Sequence, residues 1–244
     1  MMNSKFVFLG MVCLALDLSA ASYGRFAGGS WHSTENTWRI GSDYTGALPG
    51  TGDVVRLVSK NEIIEISDAP VVLGSLYVGS WDAALQNQMT LEVRENLTAN
   101  VLAIGYLPGA PAQQWGNGEL IVSGATVTAG GTVFIGGMGG GSLVVSDGGR
   151  FENNKWRIQL GANGKITIDD GIVSLKNSLV MEEGAAVYIN GDSELHIVGN
   201  NQTVGGSLLW KYILNGWIYG DGAAGDVQVS YDGEKTIVRV PAKQ

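Results

Sequence analysis

The sequence predicts an all-β chain folded as a single-stranded parallel β-helix, a solenoid with coils of roughly 23 residues and aromatic-rich caps. Gly118, Gly141 and Gly164 lie 23 residues apart, and each opens a similar apolar phrase. The same side-chain types recur at the same place in each repeat, and glycine recurs at the same corners. A fixed period in this range is typical of stacked repeats, in which each coil buries its apolar face against its neighbours.

Residues 1–21 predict a secretory signal peptide. Lys5 provides the positive n-region, and residues 6–16 form an apolar run that is too short to cross a bilayer. The small residues at 19–21 predict cleavage before Ser22, so we expect a secreted, extracellular protein. Cys13 is the only cysteine and lies within the signal, so the mature fold cannot depend on disulfides.

Residues 53–204 predict the β-helix repeats. Apolar and polar residues alternate in short strands separated by Gly, Asn and Asp, which is typical of strands with one buried face. About 150 residues of this pattern predict six or seven coils. No stretch after the signal shows a convincing helical period. Equivalent apolar residues should stack in two inward columns: Leu120, Leu143 and Ile166, and Val122, Val145 and Ile168.

The two ends of the repeat region predict caps. Residues 22–52 are expected to form the N-terminal cap and first coil, and residues 205–244 the C-terminal cap. Terminal repeats must cover the last open coil, so atypical ends are expected. Two alternating strands around Asp232 and Gly233 predict a hairpin in the tail. The cap aromatic residues expected to cover the terminal coils are Trp31, Trp38, Trp210 and Trp217.

The composition excludes several classes of protein. A hydrophobic content of 45% with 16% charged residues argues against disorder. The net charge of −8 argues against binding nucleic acid or an anionic membrane through bulk electrostatics. No later segment has about 18 uncharged apolar residues, so we expect no membrane contact once the signal is removed.

The titratable residues predict no catalytic site and no bound cofactor. The mature chain has no cysteine for thiol chemistry and two histidines, His32 and His196. His32 lies in the N-terminal cap region, and strand alternation predicts His196 as an exposed polar residue. The glycine run at 136–141 lies between two strands rather than before a helix, which argues against a phosphate cradle.

Two groups of residues remain as candidate sites. Asp147, Asp169 and Asp170 fall at equivalent corners of neighbouring coils and are candidate calcium ligands, although aspartate is also the ordinary residue of such turns. Tyr106 and Trp115 bracket an insertion rich in Pro and Gly, and exposed rings there would stack on sugars. The alternative is that Trp115 folds back onto the coil wall.

The phrase Gly-x-Leu-x-Val-Ser followed by an apolar strand ending in Gly resembles the repeats of autotransporter passengers. It is also similar to the repeats of secreted bacterial surface proteins of the PEP-CTERM type. The resemblance covers most of residues 31–200 and implies coil geometry rather than a site. The chain shows neither a C-terminal translocator barrel nor a Pro-Glu-Pro anchor, so we expect release rather than attachment.

Three functions remain open from the sequence. The first is a secreted, non-enzymatic structural or adhesin-like solenoid, with self-assembly or contact with extracellular matrix or cell-surface polysaccharide. The second is a glycan-binding module that uses Tyr106 and Trp115. The third is a polysaccharide-active enzyme, which is disfavoured because the sequence lacks a dense cluster of acids and bases.

Overall fold

The structure of the chain is a computed structural model. It describes residues 21–25, 28–34, 38–40, 42–58, 61–79, 88–105, 116–137, 139–203 and 207–241. Strands dominate these ranges, and one short helix occurs among them. Within the same ranges, no helix is both long enough and apolar enough to cross a membrane.

The strands and the helix follow one another along the chain in a simple order. They are β1 (Ser22–Arg25), β2 (Gly29–Ser30), β3 (Trp38–Ile40), β4 (Asp43–Thr45), β5 (Val54–Leu57), β6 (Glu62–Ile66), β7 (Val71–Val78), β8 (Gln88–Val93), β9 (Leu97–Ile104), β10 (Asn117–Ser123), β11 (Thr126–Ala129), β12 (Val133–Ile135), β13 (Gly141–Asn153), β14 (Ile158–Leu160), β15 (Gly164–Leu175), β16 (Leu179–Met181), β17 (Ala186–Asn190), β18 (Glu194–Val198), α1 (Leu208–Leu214), β19 (Ile218–Gly220), β20 (Ala223–Ala224), β21 (Gln228–Tyr231) and β22 (Lys235–Arg239).

Three parallel ladders form the three faces of the coil. Face A contains β2, β6, β8, β10, β17, β19 and the first halves of β13 and β15. Face B contains β11, β18, the first halves of β7 and β9, and the second halves of β13 and β15. Face C contains β1, β5, β12, β14, β16 and the second halves of β7 and β9. The predicted parallel β-helix is confirmed.

The core is a set of aliphatic columns that run along the solenoid. The predicted pairing of Leu120 with Leu143, and of Leu143 with Ile166, is present in the register of face A. The column extends beyond these three residues in both directions, and each of its members is fully buried. Burial of one such side chain stabilises the fold by about 1.5–3 kcal/mol. In order, the column is Ile64, Leu91, Leu120, Leu143, Ile166, Val187 and Ile218.

Residues 53–204 contain six stacked strands of face A, from β6 to β17, separated by about five turns of about 24 residues, in agreement with the expectation of six or seven coils. Two of these coils are longer than the regular spacing. Met89 pairs with Gly118, and Glu62 pairs with Met89, so the chain travels farther in these two coils before it returns to the same place on face A. The coils that begin at Gly118 and Gly141 keep the regular spacing.

The recurring glycine marks the corner where face C meets face A. A Cβ atom added to Gly118 would lie 2.0 Å from the carbonyl oxygen of Val78, which belongs to an earlier coil. The two backbones approach so closely that no side chain fits between them. Glycine therefore recurs in the sequence once per regular coil because this close backbone contact recurs once per regular coil.

The N-terminal cap covers the first strand of face C. Strand β3 pairs antiparallel with β1, and β4 pairs antiparallel with β3. Trp31 and Trp38 are both buried, with ring centroids 4.7 Å apart, and the indole N–H of Trp38 donates to the carbonyl of Trp31 at 3.1 Å. Arg25 is also buried here, where its guanidinium donates to the carbonyl of Gly28 at 3.1 Å, and burial lowers its pKa to about 10.

The C-terminal cap ends each of the three faces in a different way. Face A ends in the antiparallel pair β19–β20, and face B ends in β22 and β21. This antiparallel pair, β21–β22, confirms the predicted hairpin. Helix α1 packs near the end of face C, where the backbone N–H of Met181 donates to the hydroxyl of Tyr212 at 3.1 Å. The ring of Tyr212 stacks on Trp217 at 5.6 Å.

The helix was not expected from the sequence. It has seven residues, which is too short for a helical period to stand out against alternating strands. Its buried residues nevertheless follow the helical spacing, with Leu209, Tyr212 and Ile213 on one side.

Candidate functional site

The predicted glycan site at Tyr106 and Trp115 lies outside the described residues. The described residues stop at Gly105, next to the end of β9, and resume at Gly116, at the corner between faces C and A. Tyr106 and Trp115 therefore stay a prediction.

The aspartate corner has the predicted alignment. Ser146 pairs with Asp169 across neighbouring coils, and Asp147 and Asp170 both adopt left-handed backbone conformations with φ of 54° and 58°. The carboxylate of Asp147 accepts hydrogen bonds from the hydroxyls of Ser123 at 2.7 Å and Ser146 at 3.1 Å. These bonds hold the pKa of Asp147 below its ordinary value.

Within the described ranges, no group of three or more His, Cys, Asp or Glu side chains is placed to hold a metal ion. The geometry of Asp147 fits that of a turn residue whose charge is satisfied by neighbouring hydroxyls. Calcium binding by Asp147, Asp169 and Asp170 stays a prediction.

The histidine on face B differs from the expectation. His196 was expected to be exposed, and its side chain does point away from the coil interior, yet only 5% of the residue is accessible. Its Nε2 lies 2.6 Å from Oε2 of Glu194, and its Nδ1 lies 3.0 Å from Nζ of Lys235 and 3.4 Å from Oγ of Ser174. Lys235 belongs to the C-terminal hairpin, which folds back beside β18 and covers the ring.

The contacts of His196 determine which chemistry it can perform. An ammonium group only donates, so Nδ1 is the acceptor and the ring proton lies on Nε2, where it donates to Glu194. The lone pair that would take a proton from Ser174 is already used by Lys235. The order Ser174, His196, Glu194 resembles a nucleophilic triad, but this hydrogen bond removes its base. The cluster instead ties the C-terminal hairpin to face B.

The structure reveals an exposed tryptophan that the sequence analysis did not single out. Trp156 is 59% exposed and lies in the corner between β13 and β14. The side-chain amide of Asn153 fixes the start of this corner, because it donates to the carbonyl of Gly131 in the previous coil at 2.9 Å. The next backbone N–H, from Asn154, donates to Ala129 at 3.0 Å. The indole is therefore carried by a corner that is bonded to the stack.

The indole forms one wall of a groove on the side of the solenoid. The groove has a volume of about 590 Å³. It lies over three successive coils, because Val133, Ile158 and Leu179 pair in register beside it. Besides Trp156, its lining residues are Thr132, Phe134, Arg157, Gln159, Asn177 and Ser178.

A signal for this site exists in the sequence. The run Lys155-Trp156-Arg157 interrupts the spacing between two apolar strands, and a tryptophan between two cations is unsuited to an inward position. Tryptophans at the ends and in the insertion stand out because they interrupt the repeat, whereas Trp156 lies in a corner of a regular coil.

Comparisons with known proteins do not identify this site. No family model, curated protein or solved structure matches the chain.

Proposed function

We propose that this protein is a secreted, non-enzymatic, adhesin-like β-solenoid that binds polysaccharide through the groove around Trp156. The observation that carries the proposal is the indole of Trp156, 59% exposed on a corner that is hydrogen-bonded to the coil beneath it. Trp156 and Phe134 line the same groove, and adjoining apolar side chains at a surface often mark a binding site.

The geometry of the groove suits a sugar. The flat face of an indole covers the apolar C–H face of a pyranose ring, and the polar groups around it meet the hydroxyls. Gln159, Asn177 and Ser178 supply amide and hydroxyl groups in the same groove. Because the stack holds this wall in place, little ordering entropy is lost when a ligand binds.

The groove argues for binding without cleavage. Hydrolysis of a glycosidic bond generally needs two carboxyl groups on either side of the bond. None of the described residues that line the groove is an Asp, Glu or His. His196, the buried histidine, lies on face B with its Nδ1 lone pair bonded to Lys235.

The proposal is tested by affinity electrophoresis of the mature protein in gels that contain single polysaccharides. Covering about 75 Å² of the ring contributes about 2 kcal/mol, so Trp156→Ala should weaken binding roughly 30-fold. Tyr44→Ala is the matched control, because Tyr44 is 52% exposed in the N-terminal cap. Equal retardation of wild type and Trp156→Ala, or no retardation by any polymer, would contradict the proposal.

Two further measurements test the remaining parts of the proposal. Mass analysis of exported protein should find a mature N-terminus near Ser22, and an intact Met1 would argue against secretion. The chain length of each bound polymer should be unchanged after incubation with the protein. Shortening of a polymer would replace the non-enzymatic proposal with a catalytic one.

A further inference from the structure

We infer that the polysaccharide held at Trp156 is anionic, with carboxylate or sulfate groups bound by Arg157, Lys155 and Lys176. The inference rests on the proposed binding function and names the chemical class of its ligand. It depends on charge and hydrogen-bonding groups rather than on the indole itself.

The charge around the groove is opposite to that of the chain. The protein carries a net charge of −8. The three stacked segments beside the groove, residues 130–134, 153–159 and 175–180, contain three cations and no Asp or Glu. A local concentration of positive charge on an acidic protein attracts an anionic ligand to that place.

The three cationic side chains also have no ion-pair partner among the described residues. Two other surface arginines pair with nearby acids, Arg94 with Glu92 at 2.7 Å and Arg150 with Glu152 at 3.6 Å. In the described part of the chain, the side chains of Lys155, Arg157 and Lys176 form no ion pair or hydrogen bond. Their charges are therefore available to a ligand.

The polar groups in the groove favour a ligand rich in acceptors. The side-chain oxygen of Asn177 accepts from the backbone N–H of Ser178 at 2.8 Å, which leaves the amide NH₂ as the free end. Arg157 presents a planar fork of donors that matches a carboxylate or a sulfate. Lysines 155 and 176 provide point charges at the same corner on successive coils.

The length of the site favours a polymer over a single sugar. Ser178 also lines a second cavity of about 260 Å³ beside Leu208 and Leu209 of helix α1. The two cavities meet at Ser178, so the surface beside Trp156 extends toward the C-terminal cap. Nucleic acid would also offer anions and flat rings, but its dense phosphates would be repelled by the remaining acidic surface.

The test compares polymers that differ in charge alone. Binding constants are measured by calorimetry for a polyuronate, for the same polymer after carboxyl reduction, and for a sulfated polysaccharide before and after desulfation. We expect at least tenfold tighter binding of one or both charged forms, and the better of the two identifies the anion. Raising the salt concentration should weaken the charged complex and leave the neutral one nearly unchanged.

Variants assign the effect to the groove. Arg157→Gln should weaken binding of the charged polymer about tenfold and leave the neutral polymer unaffected. The double variant Lys155→Gln, Lys176→Gln should do the same. Lys165→Gln, at an exposed lysine of β15 on face A, is the control for loss of one charge, and thermal melting confirms that each variant folds.

The outcomes separate the two proposals. Equal affinity for charged and neutral forms would overturn the anionic ligand and leave the binding function standing. No affinity for any polymer would overturn the binding function itself. Tighter binding of single-stranded nucleic acid than of the polyuronate at the same ionic strength would overturn the assignment to polysaccharide.

Discussion

Replacement of Gly141 by alanine should disrupt the corner at which the coils touch. Gly141 is the first residue of β13 and lies against the end of the preceding face C strand. A Cβ atom there would lie 2.1 Å from the backbone nitrogen of Gly136 and 2.4 Å from the carbonyl oxygen of Ile104. Both are backbone atoms, so no rotation of a side chain relieves the clash.

The size of the effect follows from the movement that is needed. Ordinary van der Waals contact begins at 3.4 Å, so the two backbone segments must move apart before a Cβ atom fits between them. That separation would break the bonds from Gly136 N to Ile104 O at 2.8 Å and from Gly141 N to Asn163 O at 3.1 Å. Two lost bonds cost about 1 kcal/mol each, and the forced expansion costs about 1–3 kcal/mol, so we expect a loss of about 3–5 kcal/mol.

Thermal melting followed by far-UV circular dichroism measures this loss. For a chain of this size, about 3–5 kcal/mol lowers the Tm by roughly 6–20 °C. Gly46→Ala is the control, because no atom lies within 4 Å of its added Cβ. The control should melt at or slightly above the wild-type temperature, since alanine restricts the unfolded chain. If Gly141→Ala melts with the control, the close backbone approach does not explain the repeat.

Three other outcomes are expected. Val145→Asp buries an unpaired charge in the core and should prevent folding. Val144→Asp places the same charge on the outer side of the same strand and should fold. Equal melting temperatures of the two variants would contradict the inward assignment of Val145. Truncation after Asn200 removes β22, the partner strand of β18, and should make the protein aggregate. Light scattering measures the aggregation, and a truncated form that stays monomeric would contradict the capping role. NMR titration should find the carboxyl pKa of Asp147 below its ordinary value, and Ser123→Ala should raise it. Because the pKa of Asp147 is lowered in the folded state, its hydrogen bond with Ser123 stabilises the fold at neutral pH, and this stabilisation is lost only as the pH falls through that pKa. An unchanged pKa in Ser123→Ala would show that this hydrogen bond is not the cause of the shift.

The repeat region was readable from the sequence because geometry imposes its pattern locally. Gly118 recurs as Gly141 and Gly164 since each occupies the same backbone contact, and the inward columns follow from strand alternation. The spacing between neighbouring glycines reports the corner, and it does not report the length of the coils between Glu62 and Gly118, which are longer than 23 residues.

The environment of His196 could not be read from alternation. Alternation gives the side of the strand on which a residue lies, and it placed His196 on the outer side correctly. What covers that side is Lys235, which is 39 residues away in sequence and arrives through an antiparallel hairpin. A contact of that kind depends on how the chain returns at the cap, and no local spacing encodes it.

The way in which the faces end bears on how such a protein contacts other molecules. A parallel ladder that ended in an open strand would offer the next molecule a template for continued stacking. Here β3 and β4 turn antiparallel at one end, and β20 and β22 do so at the other. Of the described strands that end the faces, β2 and β20 have two residues, β4 and β16 have three and β21 has four, and such short edges pair weakly with a further chain. Contact through the lateral walls is then the more effective route, and Trp156 lies on such a wall.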